Sequence, residues 1–281
     1  MNNRIVICGG GLMGLSVAYN LAKRGVKELF LFERNCIGAH NSSRVNTGLF
    51  VARKSLNIYN ELAATGAFEF NKCGRVYLSS SDESETQARR LLTRLVTDPS
   101  SSFQVEAIDC PSEMLARWPM LATEDVKLAV FSPLDATIDV SGLSRILADN
   151  CREMGVQIFE NCSIKKVLIN EESRVYAVDT DEGFIDVMAF VDAAGIDSSL
   201  VDVLGLPDAD HPVRIAAHPC SFTFLSTDPL PHCQSSSQSQ PVFVCMDENT
   251  FICPLKTKTI CGGFTMEGGD LQALPPAFTN F

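Results

Sequence analysis

The spacing of apolar residues changes early in the chain from a continuous run to a helical repeat. Residues 4–8 form a short β-branched run, which is typical of a buried strand. Apolar and small side chains then recur at helical spacing over residues 12–24, and Gly25 ends the predicted helix. The run ELFLFER, residues 28–34, predicts a second strand. A strand, a glycine-containing turn, a helix and a strand in this order predict a βαβ unit.

Helical and strand patterns alternate along the rest of the chain. Helices are predicted at residues 55–68, 83–97 and 141–154. Strands are predicted at residues 74–80, 156–160, 164–169, 175–180, 184–187, 190–195, 242–246, 250–255 and 259–264. The strand runs within 163–194 are short and include the turn signal TDEG, which predicts a small meander that returns into an apolar strand. Asp139 precedes the third of these helices and is predicted to be its N-cap.

The composition is that of a globular protein with one large domain or two interleaved ones. The chain has 281 residues, of which 46% are hydrophobic, and a formal net charge of −11. This acidic balance, with a pI near 4.8, argues against nucleic acids and anionic membranes as main partners. No run reaches the ~18 uncharged apolar residues that a membrane span needs, so no span is predicted. The first strand begins at residue 4, which leaves no room for a presequence.

The cysteines and histidines do not form the pattern of a disulfide framework or a metal site. The eleven cysteines are odd in number and scattered, and no two of them are spaced as CxxC. Several lie in apolar runs that predict strands, so free thiols in a reducing compartment are expected. The four histidines are not at ligand spacing to a cysteine pair, so no metal site is predicted.

The turn between the first strand and the first helix has the spacing GxGxxG, formed by Gly9, Gly11 and Gly14. The first glycine permits a tight turn, the second lets the backbone approach a pyrophosphate, and the third lets the helix pack closely on the strand. Amides at the helix N-terminus add a positive dipole for the phosphates. Glu33 ends the second strand, 19 residues after Gly14, where a carboxylate accepts hydrogen bonds from ribose hydroxyls and repels a 2′-phosphate. The pattern predicts an ADP-containing dinucleotide and disfavours NADP.

After its second strand the chain does not continue as the βαβαβ unit of NAD enzymes. Three phrases, GGGLMGLSVAYNLAKRG…LFER, DATIDVSGLSRILADNCREMGVQIFEN and FVDAAG, resemble FAD-dependent amine and amino-acid oxidoreductases of the D-amino-acid oxidase superfamily. Within that superfamily the chain is similar to the group of dimethylglycine dehydrogenase, sarcosine dehydrogenase and the pyruvate dehydrogenase phosphatase regulatory subunit. The resemblance covers nearly the whole chain, but the sequence similarity is weak between residues 50 and 130.

The resemblance implies an α/β fold in which a Rossmann-like FAD-binding domain is interleaved with an antiparallel-sheet substrate domain. The first domain is expected at residues 1–50 and 140–215. The second is expected at 51–139 and 216–281, and incomplete at its C-terminus. The cofactor-binding residues that the resemblance implies are Gly9, Gly11, Leu12, Met13, Gly14, Glu33, Arg34, Ser42, Ser43, Arg44 and Gly195.

The loop SSRVNTG, residues 42–48, departs from the pattern of the catalytic members of this group. Those members carry a Trp-His pair in this loop, and the histidine bonds covalently to FAD. This chain has Arg44 and Val45 at the two positions, and the regulatory subunit likewise has arginine followed by an apolar residue. Because valine offers no nucleophile, the resemblance predicts that FAD is bound non-covalently.

The candidate catalytic position depends on which threonine is aligned with the dehydrogenases. They have a histidine five residues before a threonine, near the amine substrate. If Thr227 is that threonine, Phe222 stands at the histidine position; if it is Thr223, His218 stands there. His218 is therefore the candidate catalytic residue, and the alternative interpretation is a loop histidine beside a proline.

Three functions remain open from the sequence. The first is a regulatory or weakly active FAD-fold protein that binds a partner, by resemblance the pyruvate dehydrogenase phosphatase catalytic subunit. The second is an FAD-dependent oxidoreductase that acts on the CH–NH group of amines such as sarcosine or dimethylglycine. The third is a cofactor-free fold remnant that acts as an interaction protein. The resemblance places the protein in the mitochondrial matrix, and otherwise the cytoplasm is expected. Compared with the family, the chain is expected to be a C-terminally truncated gene product, a fragment or a divergent minimal form.

Overall fold

The computed structural model describes residues 3–38, 53–66, 68–97, 105–205, 222–229, 239–255 and 258–264. Its helices are α1 Leu12–Lys23, α2 Arg53–Ala63, α3 Asp82–Thr97, α4 Pro111–Arg117, α5 Val140–Glu153 and a 3₁₀ helix, Gly195–Leu200. Its strands are β1 Ile5–Cys8, β2 Leu29–Glu33, β3 Phe70–Asn71, β4 Arg75–Ser79, β5 Glu106–Ile108, β6 Leu128–Ser132, β7 Thr137–Ile138, β8 Gln157–Glu160, β9 Ile164–Ile169, β10 Val175–Thr180, β11 Gly183–Asp186, β12 Ala189–Asp192, β13 Asp202–Leu204, β14 Phe222–Thr227, β15 Val242–Cys245, β16 Thr250–Pro254 and β17 Thr259–Phe264.

Residue contacts divide the chain into two compact units. The first unit comprises Met1–Thr47, Asn60–Glu69 and Ile138–Pro219, and the second comprises Gly48–Tyr59, Phe70–Thr137 and Cys220–Phe281. Each unit is therefore assembled from stretches that are separated along the chain.

The first unit is built on a parallel sheet in the order β12-β1-β2-β8. Ile5 in the central strand β1 pairs with Leu29 of β2 on one side and with Ala189 of β12 on the other. The inner strands β1 and β2 are nearly continuous apolar runs, as expected for parallel strands that are buried on both faces. The helix α1 connects them and packs against α5, where the Cys151 Sγ atom lies 3.9 Å from the Leu15 carbonyl oxygen.

A second four-stranded sheet, β11-β10-β9-β13, shares a hydrophobic cluster with the parallel sheet. Its first three strands form an antiparallel meander, and β13 runs parallel to β9. Val167 and Val178 of the meander belong to one buried cluster with Val6, Cys8 and Phe32 of the parallel sheet. Because side chains alternate between the faces of a strand, Val6 and Cys8 point to the meander side of β1.

The helix α5 begins at the predicted N-cap. The Asp139 Oδ1 atom accepts a hydrogen bond from Gly142 N at 3.0 Å, which confirms the prediction. Asp139 N in turn donates to the Glu69 carbonyl oxygen at 2.8 Å. Asn60–Glu69 and the start of α5 belong to the same unit, although they lie far apart in the sequence.

Removal of this cap is expected to weaken the first unit. In Asp139→Ala the Gly142 N–H loses its acceptor, and we expect the free energy of unfolding to fall by about 1 kcal/mol. Asp139→Asn keeps an acceptor in the same place and is expected to remain within about 0.5 kcal/mol of the parent chain. Urea unfolding followed by circular dichroism measures both variants. An equal loss in the two would contradict the capping role.

The second unit is built on seven described strands in the order β14-β17-β16-β15-β4-β6-β5. The sheet is antiparallel except for the pair of β4 with β15, which is parallel. Alternate residues of β6 enter two hydrophobic clusters, Ala129 with Trp118 on one face and Val130 with Ala88 of α3 on the other. The sheet therefore has a buried cluster on each face.

Two further properties concern the described residues as a whole. Every helix in the described ranges is too short or too polar to span a bilayer. The cysteines in these ranges have free thiols.

Candidate functional site

The glycine turn lies where β1, α1 and the end of β12 meet. A Cβ atom on Gly9 would stand 2.3 Å from the Ala193 carbonyl oxygen, and one on Gly14 would stand 1.9 Å from the Gly9 carbonyl oxygen. Gly9 also has a φ of +106°, which residues with a side chain rarely adopt. Because the obstructing atoms belong to the backbone, only glycine fits at both positions. The turn thus brings two parallel strands and a helix N-terminus to one point.

Glu33 contacts this turn from the end of β2. Its Oε2 atom accepts a hydrogen bond from Gly10 N at 2.7 Å, and its Oε1 atom accepts one from Asn35 N at 2.9 Å. A Cβ atom on Gly10 would stand 2.8 Å from the Glu33 Cβ atom, a constraint that the GxGxxG spacing did not identify. Glu33 is 8% exposed. Each carboxylate oxygen has two lone pairs, so one acceptor site on each oxygen remains for a ligand hydroxyl.

A cavity of about 720 Å³ in the first unit adjoins the turn and Glu33. Sites for drug-sized ligands measure about 300–1,000 Å³, so this volume suits a large organic ligand. Among the residues predicted to bind a cofactor, those that line the cavity are Gly9, Gly11, Leu12, Met13, Glu33, Arg34 and Gly195. Gly14 is not part of the lining; it lets α1 approach the Gly9 carbonyl group instead.

The N-terminus of α1 contributes to the lining of the cavity. The helix begins at Leu12 after the N-cap Gly11, and within the described ranges no side chain caps it. Its first turn carries no acidic residue. The first amides of a helix have no partners within the helix and carry the positive end of its dipole, so they attract phosphate groups.

Two carboxylates that the sequence patterns did not identify hold another part of the lining, the 3₁₀ helix. The Asp192 Oδ1 atom accepts hydrogen bonds from Ala194 N at 2.9 Å and from Ser198 Oγ at 3.0 Å. The Asp197 Oδ2 atom lies 2.7 Å from Arg34 Nη2. Asp192 could have been found as an aspartate that ends a strand and starts a turn. Asp197 gives no such signal, because its partner is far away in the sequence.

The Cys8 thiol also lines the cavity. Burial first, and then the neighbouring carboxylates of Asp192 and Glu33, raise the pKa of this thiol to about 12. A thiol with so high a pKa stays protonated near neutral pH and is a poor nucleophile. A ligand in the cavity therefore meets glycine backbone, apolar residues, two acidic residues and two basic ones, namely Glu33, Asp197, Arg34 and Lys165, and Cys8 adds no charge.

Some predicted site residues lie outside the described residues, namely Ser42, Ser43, Arg44 and the candidate catalytic residue His218. The side chain of Phe222 is also outside the description. Non-covalent attachment of FAD and a catalytic histidine therefore stay predictions. Within the described ranges, no group of His, Cys, Asp and Glu side chains is arranged to hold a metal ion.

A family model described as FAD dependent oxidoreductase matches residues 4–280. The chain belongs to the FAD dependent oxidoreductase family. The predicted resemblance is thereby confirmed, and membership implies FAD as the cofactor. The glycine turn and Glu33 both lie within the matched range.

Curated relatives in this family have lengths well above that of the chain. The mouse mitochondrial pyruvate dehydrogenase phosphatase regulatory subunit is 28% identical over 93% of the chain and 30% of its own length. Mouse mitochondrial sarcosine dehydrogenase is 24% identical over 70% of the chain and 23% of its own length. Dimethylglycine dehydrogenase of Rattus norvegicus is 23% identical over 97% of the chain and 33% of its own length. The chain thus spans about a third or less of these relatives.

Solved structures of the family share the fold. L-proline dehydrogenase from P. horikoshii superposes with a TM-score of 0.79 at 21% identity, over 99% of this chain and 74% of that one. Glycine oxidase from Bacillus cereus superposes with a TM-score of 0.72 at 20% identity, over 98% of this chain and 74% of that one. These superpositions confirm the predicted α/β fold class.

Proposed function

We propose that the chain binds FAD non-covalently in the cavity of the first unit and serves as a regulatory or weakly active protein. The glycine turn carries the proposal: Gly9 and Gly14 leave no room for a Cβ atom, and Glu33 contacts the same turn. Glycine in such a turn costs conformational entropy on folding. The close approach of a pyrophosphate to the backbone explains why glycine is present in the turn despite this cost.

The residues of the cavity fit the ADP part of FAD. The amides at the start of α1, next to Gly11, would hold the pyrophosphate. The Glu33 carboxylate would hold the ribose hydroxyls through the acceptor sites that Gly10 and Asn35 leave open. FAD, when bound, supplies an acceptor for a hydride.

Two observations support a regulatory role over a fully active one. The similarity to the mouse phosphatase regulatory subunit extends over 93% of the present chain. In addition, the family resemblance aligns Arg44 and Val45 with the positions at which the catalytic members of the group carry a Trp-His pair. Under this proposal the protein binds a phosphatase catalytic subunit and resides in the mitochondrion, as the name of that relative suggests. The family resemblance specifies the matrix as the compartment.

The second candidate function is the oxidation of a secondary or tertiary amine. Similarity to sarcosine dehydrogenase and dimethylglycine dehydrogenase favours it. His218 is the candidate catalytic residue for this reaction, under the alignment that places it five residues before Thr223.

FAD binding is tested by the visible spectrum of the chain after incubation with FAD and desalting. We expect the absorption bands of oxidised flavin to stay with the protein, and acid precipitation to release all of the flavin into the supernatant. Flavin that remains in the precipitate would contradict non-covalent attachment. A folded but colourless protein would contradict the proposal and favour the cofactor-free interaction protein.

Anaerobic titration with sarcosine and dimethylglycine separates the two candidate functions. For a regulatory protein we expect the flavin absorbance to remain unchanged with either amine. Dithionite serves as the control, because it reduces bound flavin without a substrate site. Rapid bleaching by either amine would show that the second candidate function is correct.

A further inference from the structure

The 3₁₀ helix Gly195–Leu200 lines part of the cavity, and two of its apolar side chains are poorly packed. Ile196 is 50% exposed and Leu200 is 60% exposed, although both line the cavity. A segment with few buried apolar contacts opens at a lower free energy than the sheets around it. Its position therefore depends on the polar contacts that hold it.

The 3₁₀ helix has two polar anchors. The first is local, because Asp192 at the end of the preceding strand accepts a hydrogen bond from Ser198 Oγ at 3.0 Å. The second is the ion pair of Asp197 with Arg34, which joins the 3₁₀ helix to the end of β2 at 2.7 Å. Arg34 follows Glu33 directly, so this second anchor ties the 3₁₀ helix to the Glu33 end of the cavity.

We propose that Asp197 is a positioning residue for the dinucleotide: through Arg34 it holds the 3₁₀ helix against the Glu33 end of the cavity and slows the departure of the ligand. This inference rests on the proposed binding of FAD in the cavity. The two side chains are 46% and 30% exposed, so water and salt screen the pair and its effect is modest. It acts mainly on the dissociation rate, because the ion pair has no net charge and adds little long-range attraction for the dinucleotide.

The test measures FAD dissociation by stopped-flow flavin fluorescence in Asp197→Asn. We expect the dissociation rate to rise about two- to fivefold, the range of a half-exposed ion pair. In about 1 M NaCl, where the screening length is about 3 Å, the variant and the parent chain are expected to converge. Asp197→Glu keeps the carboxylate and is expected to restore slow dissociation.

Arg152→Gln is the matched control. Arg152 pairs with Glu160 at 2.6 Å in the same unit, and the two side chains are 43% and 30% exposed. Neither residue lines the cavity. The substitution also removes the ion pair of Arg152 with Asp149 at 3.0 Å. Loss of both pairs should leave FAD dissociation unchanged, whereas an equal acceleration in both variants would overturn the inference.

Amide hydrogen exchange without FAD separates this inference from the proposed function. Asp197→Asn is expected to speed exchange at residues 195–201 by about two- to fivefold, and Arg152→Gln is not. If the parent chain retains FAD but Asp197→Asn alters neither exchange nor dissociation, the inference alone fails. If the parent chain retains no FAD, the proposed function fails and the positioning role fails with it.

Discussion

Gly9→Ala is expected to lower the free energy of unfolding of the first unit by about 2–5 kcal/mol, from an overpacked contact and a strained backbone together. The new Cβ atom would stand 2.3 Å from the Ala193 carbonyl oxygen and 2.7 Å from its carbonyl carbon. The Ala193 backbone cannot move away easily, because two contacts fix it. Ala193 N donates a hydrogen bond to the Cys8 carbonyl oxygen at 2.8 Å, and the preceding residues of β12 pair with β1. We also expect FAD retention to be lost. Urea unfolding and the visible spectrum after desalting measure the two effects.

Gly25→Ala is the matched control for this variant. Gly25 has a φ of +87°, so alanine is strained there too, but its Cβ atom would meet nothing within 4 Å. We therefore expect a loss of only about 1–2 kcal/mol and unchanged FAD retention. If Gly9→Ala were as mild as Gly25→Ala, the turn would not be as tightly built as the distances indicate.

Glu33→Gln is expected to lower both the stability of the first unit and its affinity for FAD. The carboxylate accepts hydrogen bonds from Gly10 N and Asn35 N, one on each oxygen. An amide side chain has a single acceptor oxygen, so its NH₂ group would face one of these N–H donors. A buried donor without an acceptor costs about 1–3 kcal/mol, and the loss of a ribose acceptor lowers affinity about 10- to 100-fold. Urea unfolding and a fluorescence titration with FAD measure the two changes.

Glu160→Gln is the control on the neighbouring strand. Glu160 of β8 pairs in register with Glu33 of β2, and its Oε2 atom accepts a hydrogen bond from Ile37 N at 2.9 Å. It does not line the cavity. The substitution should leave the FAD dissociation constant unchanged, so equal losses of affinity in both variants would contradict the assignment of Glu33 to the ribose.

The βαβ unit at the start of the chain was predictable from the sequence, because each of its elements is set by neighbouring residues. The two strands were expected at 4–8 and 28–34 and are found at Ile5–Cys8 and Leu29–Glu33. The helix was expected at 12–24 and is found at Leu12–Lys23. The roles of Gly9 and Gly14 also followed from the spacing, since a strand and a helix must pass each other closely at such a turn.

Other elements depend on contacts that no local pattern reveals. The strands β5, β6 and β14 and the helix α4 were not predicted, because their residues are short runs whose partners lie elsewhere in the chain. β6, for example, pairs with β4 and β5, and these three strands come from separated stretches. In the candidate site, the contact between Gly10 and Glu33 and the ion pair of Arg34 with Asp197 also join distant residues.

The pairing of β1 with β12 has a consequence for the order in which the molecule is assembled. Ile5 of β1 pairs with Ala189 of β12, so β1 acquires this neighbour only when residues from a distant part of the chain reach it. Contacts of such long sequence separation form slowly, because the entropy of closing the intervening loop is lost before the contact is gained. Until β1 and β12 pair, Ala193 does not pack against Gly9. A folding intermediate with only the local βαβ unit formed would therefore contain Gly9, Gly14 and Glu33 without a complete cavity, and FAD binding would report that β12 has paired with β1.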